Sequence, residues 1–419
     1  MKKFKILLPA VLLLANLLYS QDNVQVDVKK ITDTVYRITL TTNFSVNMAA
    51  SIGPDGILLV DNGPAAADEP LKAKLKELSD KPVKYIINTH HHGDHRGANQ
   101  LLGSDAKIIG HKNLRKRMNS GLNILQEETD ATLPKIEFDE SYSLDFNGEK
   151  ITLTSYAGGH SDNDITVYFE KSNVVCLGSV VAANNFPFIG GQDGGSFANI
   201  SSLVKKVIDT YPDDAVFIPG HGADFTKDYI KEYHKMLTAT GDIVKKGLAS
   251  GKTVEQLQEE NVLKAWESYG TGFVTQNFWI QTIANSVNAP AQLESIVVPM
   301  YYDMKDNGVD SAIKLYHKLK KDKPDGYNFQ EFNLNLFGYN LLNKEKYEDA
   351  FKIFRLNIEM FPESANVYDS LGEAYERSGD NKKAAENYKK AVKNAEKTND
   401  GNLEIFKTNL KRVSPEETE

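Results

Sequence analysis

The chain has 419 residues, of which 41% are hydrophobic and 25% charged, proportions that suit two or three folded domains and exclude large-scale disorder. Its formal charge of −8 makes nucleic acid and anionic membrane surfaces poor partners. A single cysteine, Cys176, excludes an internal disulfide, so packing and any bound metal must hold the fold.

Residues 1–20 place Lys2, Lys3 and Lys5 before the apolar run 6–18, broken by Pro9 and Asn16, and end in Tyr19-Ser20 ahead of Gln21-Asp22-Asn23. A basic start, an apolar stretch too short to cross a bilayer comfortably and a small residue at the end predict a signal peptide. An uncleaved anchor is the alternative. Export across a bacterial inner membrane to the periplasm or beyond is therefore expected, with no stable membrane insertion after cleavage.

From residue 24 to residue 62 the pattern is β-rich: residues 34–40 alternate, 44–52 follow a polar turn, and Gly53-Pro54-Asp55-Gly56 turns into Ile57-Leu58-Leu59-Val60. Asp61-Asn62-Gly63 closes that strand. Leu71, Leu75 and Leu78 give residues 69–78 a helical apolar stripe, and the apolar run 83–87 reads as a buried strand. Directly after it comes Thr89-His90-His91-His92-Gly93-Asp94-His95. Side chains alternate in an extended segment, so His90 and His92 leave on the same side and can grip one cation. Past Gly93, Asp94 and His95 can swing toward a second. His91 points the other way and is expected to face solvent or to support its neighbours.

A helix should begin near Arg96-Gly97-Ala98-Asn99, followed by a strand at 107–111 and a polar, helical or mobile stretch at 112–132. Residues 138–146 and 150–156 alternate as a hairpin around Asn147-Gly148. The loop 157–164 then holds His160 between Gly159 and Ser161. Strands are expected at 165–170 and 173–177, ending in Gly178-Ser179. The long loop 180–196 is rich in Gly, Asn and Phe, as substrate-reading loops beside metal sites are. A helix at 200–211 and a strand at 215–218 present Pro219-Gly220-His221-Gly222. The alternation of β-rich blocks and helices predicts an α/β layered domain.

Residues 245–263, with a break at Gly251, and the aromatic stretch 266–287 are expected to cap that domain. Beyond Pro290 the chain is helical and lysine-rich. Phe337 with Leu371, Gly338 with Gly372, Leu341 with Tyr375, Ala350 with Ala384 and Phe354 with Tyr388 recur at one spacing, and Pro362 ends the first unit. Ala312, Tyr316 and Pro324 suggest a degenerate earlier unit, and residues 403–413 a terminal helix.

The order H-x-H-x-D-H, then Gly-His-Ser, then Pro-Gly-His-Gly resembles the metallo-β-lactamase superfamily, and the carboxy-terminal recurrence resembles tetratricopeptide repeats. The resemblance implies a four-layer αββα sandwich over residues 21–289 and an all-α tetratricopeptide-like domain over 290–419. It implies a first zinc held by His90, His92 and His160 and a second held by Asp94, His95 and His221. Imidazole and carboxylate donors suit zinc, although iron or manganese could occupy the same set. Many relatives carry a bridging aspartate where Ser179 stands, a departure that weakens the second site. Subclass B3 metallo-β-lactamases are similar in having serine there and use two zincs. Cys176 is three residues from that position and expected to be buried in a strand, which disfavours it as a substitute thiolate. His111, His234 and His317 have no supporting context.

A three-ligand zinc leaves a position for water and brings that water's pKa toward neutrality, which points to hydrolysis. Asp94 is placed to orient the water and to pass its proton to the leaving group. Asn184-Asn185-Phe186-Pro187-Phe188 and Asn43-Phe44 offer amides and aromatic surface to a small organic anion, or else simply pack the loop down. The expected function is an exported zinc-dependent hydrolase of an ester, lactone or amide-type bond in a small molecule. β-Lactam hydrolysis is the alternative within that class. A scaffold with a structural metal, working through the repeats, is the alternative outside it. The repeats would bind a protein partner or a second copy, or pack on the front domain.

Overall fold

The computed structural model describes residues 24–42, 44–118, 129–190, 193–288, 293–398 and 402–414. The expected signal peptide, Asn43 and the middle of the polar stretch 112–132 lie outside them. Two sheets form the front of the molecule. In the first, β1 (Gln25–Lys30), β2 (Val35–Thr41), β3 (Ser45–Gly53), β4 (Gly56–Val60), β5 (Val83–Ile87), β6 (Lys107–His111) and β7 (Ile136–Phe138) lie side by side in chain order. The strands are antiparallel up to β4 and parallel from β4 to β7. Helix α1 (Asp68–Leu78) makes the crossover from β4 to β5, two short helices, α2 (Gly93–Arg96) and α3 (Asn99–Leu102), follow β5, and α4 (Lys112–Met118) follows β6.

The second sheet has β8 (Ser141–Phe146), β9 (Glu149–Ser155), β10 (Ile165–Phe169), β11 (Val174–Gly178) and β12 (Val216–Pro219), again neighbours in order. Only β11 and β12 are parallel, because α5 (Phe197–Thr210) crosses between them. Helices α6 (Lys227–Ala249), α7 (Val254–Glu259) and α8 (Gln276–Asn288) follow.

Apolar side chains divide into three layers of core. Leu58, Val60, Ile87 and Ile109 of the first sheet meet Ile151, Leu153, Val167 and Ile218 of the second. Leu71 and Leu75 of α1 cover the far face of the first sheet with Leu59 and Ile86. Val204, Tyr233 and Trp279 from α5, α6 and α8 cover the far face of the second with Val175, Leu177 and Phe217. The result is an αββα sandwich, with each sheet buried on both faces.

Two elements differ from the sequence reading. The strand expected from residue 138 into the hairpin is divided: β7 closes the first sheet beside β6, and the chain crosses at Asp139-Glu140 to open the second sheet at β8. The helix expected near residue 96 is broken into α2 and α3. Gly97 stays helical and is pressed against the turn at Pro64-Ala65, where an added Cβ would lie 2.0 Å from the Ala65 nitrogen; the helical path is lost at Ala98, with ψ of 5°.

Beyond residue 293 everything described is helical apart from connections: α9 (Val297–Asn307), α10 (Val309–Asp322), α11 (Glu331–Asn343), α12 (Tyr347–Met360), α13 (Ala365–Arg377), α14 (Asn381–Thr398) and α15 (Leu403–Val413). They share their own core, from Ile296 to Leu410. Gly338 in α11 faces the Phe354 ring of α12, and Gly372 in α13 faces the Tyr388 ring of α14, so the two hairpins pack alike. Tyr339 donates to Glu373, 34 residues on, at 2.8 Å, and Arg377 to Asn343 at 2.9 Å, tying one hairpin to the next. No helix among the described residues is long and apolar enough to cross a membrane.

A Cβ at Gly338 would lie 2.5 Å from Phe354 Cε1. Gly338→Ala is therefore expected to destabilise the helical region by about 1–3 kcal/mol. Amide hydrogen exchange should accelerate across α11 and α12 while the sheets stay protected; unchanged exchange would mean the ring moves aside freely.

Candidate metal centre

Strand β5 runs into the histidine motif at its carboxyl end, and the neighbouring strand β4 ends at Asp61. That residue is buried and sits at φ +60°, a left-handed conformation that Asp tolerates better than most side chains. Its carboxylate accepts from Thr89 N at 2.7 Å, Thr89 Oγ1 at 2.8 Å and His95 Nδ1 at 2.8 Å. One acid thus fixes both the entry to the motif and the ring of its last histidine.

The other four imidazoles are held the same way. His90 Nδ1 donates to Thr89 Oγ1 at 3.1 Å, His92 Nε2 to Asp193 Oδ2 at 3.1 Å, His160 Nδ1 to the Phe188 carbonyl at 2.7 Å, and His221 Nδ1 to the Ser45 carbonyl at 2.8 Å. Every ring has one nitrogen tied outward to an acceptor, which leaves the other nitrogen pointing inward, where a metal can take it. His92 Nδ1 and His160 Nε2 face each other at 3.1 Å, and His95 Nε2 faces His221 Nε2 at 3.3 Å. His90 Nε2 is buried without any hydrogen-bond partner. Imidazole nitrogens at such distances need a proton or a metal ion between them. The site fits a metal.

The donors fall into two sets of three: His90, His92 and His160, with ligand atoms mutually within 4.8 Å, and Asp94, His95 and His221, likewise. Asp94 Oδ2 lies 3.3 Å from His221 Nε2 and 3.6 Å from His95 Nε2. Burial and the neighbouring imidazoles hold His90 and His160 neutral, with His160 pushed down to about 3. Burial alone would raise Asp94, but His95 and His221 hold it well below the usual carboxylate range, and Asp94 and Asp61 in turn push His95 up to about 9 against its own burial, so a metal entering that set displaces a proton from His95. His90 and His95 are fully buried, whereas Asp94, His92 and His221 reach solvent, so the centre opens along those three.

His91, His92 and Asp193 form a third group of the same compactness. Here, however, the rings spend N–H donors on the acid. Asn163 donates to His91 Nδ1 at 3.0 Å, which directs the His91 Nε2 proton to Asp193 Oδ1 at 3.3 Å. His91 is buried, correcting the solvent-facing alternative, and acts by fixing Asp193 beneath His92. Asp162, gripped by Arg117 through both carboxylate oxygens at 2.9 and 2.7 Å, donates its backbone N–H to the Asp193 carbonyl and braces the same loop.

The remaining candidates are placed as follows. Ser179 is half-buried in the turn after β11. Cys176 is buried within β11, and desolvation pushes its thiol well above the ordinary range, so it offers no thiolate. Phe44 is 43% exposed, its ring 6.1 Å from that of His221. Asn184 is exposed and donates its backbone N–H to Tyr229, and Asn185 turns back onto the Ala183 carbonyl. Phe186 does not face the opening: it is buried under Trp279, ring to ring at 5.5 Å, because the loop needs an apolar anchor. Phe188 lies 6.2 Å from His92 and 6.0 Å from His160, ring centroid to ring centroid. Outside the centre, His234 pairs with Ser201, His111 with the Asn113 backbone, and His317 with Glu359.

A family model, that of the metallo-β-lactamase superfamily, matches residues 42–221. Those residues form a metallo-β-lactamase superfamily domain. The chain is 22% identical to the type 2 metallo-β-lactamase of Bacteroides fragilis over 225 residues, which cover 50% of this chain and 86% of that protein. It is 22% identical to the probable metallo-hydrolase YqjP of Bacillus subtilis over 266 residues, 51% of this chain and 80% of the relative. A solved metallo-β-lactamase from Pontibacter korlensis superposes with a TM-score of 0.44 at 19% identity, covering 51% of this chain and 99% of that one. The superfamily domain and its metallo-hydrolase relatives mark the protein as a metal-dependent hydrolase.

Asp61→Asn and Asp193→Asn would each present an amide N–H where a carboxylate now accepts, turning the inward nitrogen of His95 or His92 into a donor. Metal affinity at the corresponding site should fall about 10–100-fold. Competition with a chromogenic chelator measures it; undiminished affinity in both variants would mean that other contacts set the tautomers.

Proposed function

We propose that this protein is an exported, zinc-dependent hydrolase that cleaves an ester, lactone or amide-type bond in a small molecule. The observation that carries the reading is the pair of three-donor sets opening to solvent through Asp94, His92 and His221. Structural zinc sites are closed by four protein ligands, whereas three leave room for reactants. That contrast favours an enzyme over a scaffold held by metal.

Bound there, zinc supplies activation of water near neutral pH and polarisation of the bond to be cleaved. The chain's own residues do the positioning. Asp94 stays ionised and stands at the mouth, so it accepts a hydrogen bond from the attacking water and can pass the proton to the leaving group. Asp61 and Asp193 hold His95 and His92 in the tautomer that leaves their inner nitrogens free. Phe188 and Phe44 flank the sets, beside His92 and His221.

β-Lactam hydrolysis is the second reading, supported by the relatives named as metallo-β-lactamases in Bacteroides fragilis, Chryseobacterium indologenes and Elizabethkingia meningoseptica, all 21–23% identical. Ser179 where many relatives have a bridging aspartate is the feature that resembles subclass B3 and supports two zincs. The basic-then-apolar residues 1–20 support export. The matched packing of Gly338 with Phe354 and Gly372 with Tyr388 supports reading the helical region as tetratricopeptide-like, a surface for a protein partner or a second copy.

Zinc-loaded mature protein assayed on a chromogenic cephalosporin, an aryl ester and an acyl lactone should hydrolyse at least one, with turnover abolished by chelator. His92→Ala and Asp94→Ala should each lower kcat/KM by about 10²–10⁴-fold. Turnover that survives both substitutions would sink the proposal.

A further inference from the structure

Three phenyl rings stand at the edge of the centre: Phe188 is half-buried against the core of the second sheet, while Phe273 and Phe278 belong to none of the core clusters. Phe273 is 73% exposed, and its ring centroid lies 5.8 Å from that of Phe188; Phe278 is 38% exposed and stacks on Phe188 at 6.3 Å. Phe188 in turn stands against the His92 and His160 rings. Apolar rings kept in water beside an open reactive centre are the usual mark of a ligand surface.

Their position is built, not incidental. The Phe188 carbonyl is held by His160 Nδ1 at 2.7 Å. Two residues earlier, Phe186 is buried, stacks on Trp279 and donates its backbone N–H to the Tyr269 carbonyl at 2.8 Å. Trp279 is anchored by its Nε1 donating to Thr240 Oγ1 at 3.0 Å. Gly272 lies so close to Asn185 that a Cβ there would meet Oδ1 at 1.9 Å. The segment carrying Phe273 and Phe278 is therefore docked on the loop carrying Phe188. It lies beyond residue 221, where the family match ends.

We propose that Phe188, Phe273 and Phe278 form the binding wall for an aryl or medium-chain alkyl substituent of the substrate, on the side of the His90, His92 and His160 set. The inference deepens the hydrolase reading and rests on it for the word substrate. It specifies an amphiphilic small molecule: a reactive polar group at the metal pair, with an apolar arm lying over the three rings. A polymer or a fully polar metabolite would leave the wall wet.

Two chelating probes test it by calorimetry on zinc-loaded protein: acetohydroxamate and 4-phenylbutanohydroxamate. The phenyl-bearing probe should bind at least about tenfold tighter, as burial of several apolar carbons requires. Phe273→Ser and Phe278→Ser should each reduce that preference about three- to tenfold, and Phe273→Leu should keep most of it. Phe273 supports no core, so metal content and circular dichroism should be unchanged in its variants. Equal affinity of the two probes, failure of both to bind, or a preference that survives both serine variants would overturn the wall. A preference that is intact and ring-dependent, in a protein that turns over no ester, lactone or cephalosporin, would uphold the wall and sink the hydrolase reading alone.

Discussion

Five imidazoles converge with their bare nitrogens facing inward only because each has its other nitrogen tied to an acceptor. The acceptors come from four different parts of the chain: Asp61 and Thr89 from the ends of β4 and β5, Ser45 from the start of β3, Phe188 and Asp193 from the loop after β11. No one of these contacts is unusual. Together they commit the first sheet and the loop after β11 to a geometry that gathers inward-facing nitrogens around room for a cation. The αββα sandwich supplies what that geometry needs, two doubly buried sheets whose strand ends meet along one edge.

The region after His221 makes the same centre more particular. Helix α8 brings Trp279 under Phe186, and the preceding turn brings Phe273 beside Phe188, so residues far along the chain set the wall of a site whose donors mostly lie near its start. The helical hairpins past residue 293 have a separate core and take no part in that wall. They connect to the front of the molecule through the ion pair of Lys116 with Glu294.

Part of the donor arrangement was legible in the sequence: alternation along an extended segment puts His90 and His92 on one side, whereas His160 and His221, lone histidines at glycine-flanked strand ends, are assigned only through the resemblance to the metallo-β-lactamase superfamily. The strand and helix pattern also carried the layered architecture. The groups that orient the donors were not legible. Asp61 reads as an ordinary strand-closing acid, and Asp193 as one polar residue among many in a long loop, since each acts through contacts 34 and 101 residues away. Phe186 and Phe188 are indistinguishable by type, yet one is the anchor beneath Trp279 and the other faces the centre, a difference that only tertiary packing decides. The divided strand at Phe138 has the same origin, because β7 and β8 continue one apolar pattern while belonging to different sheets.

Zinc-edge anomalous diffraction from crystals of the protein grown with zinc tests the central reading most directly. Two peaks are predicted, roughly 3.5–4 Å apart as in other two-metal hydrolytic centres. One should be bound by His90, His92 and His160, the other by Asp94, His95 and His221. A peak among His91, His92 and Asp193 instead, or no peak at either predicted position, would contradict it.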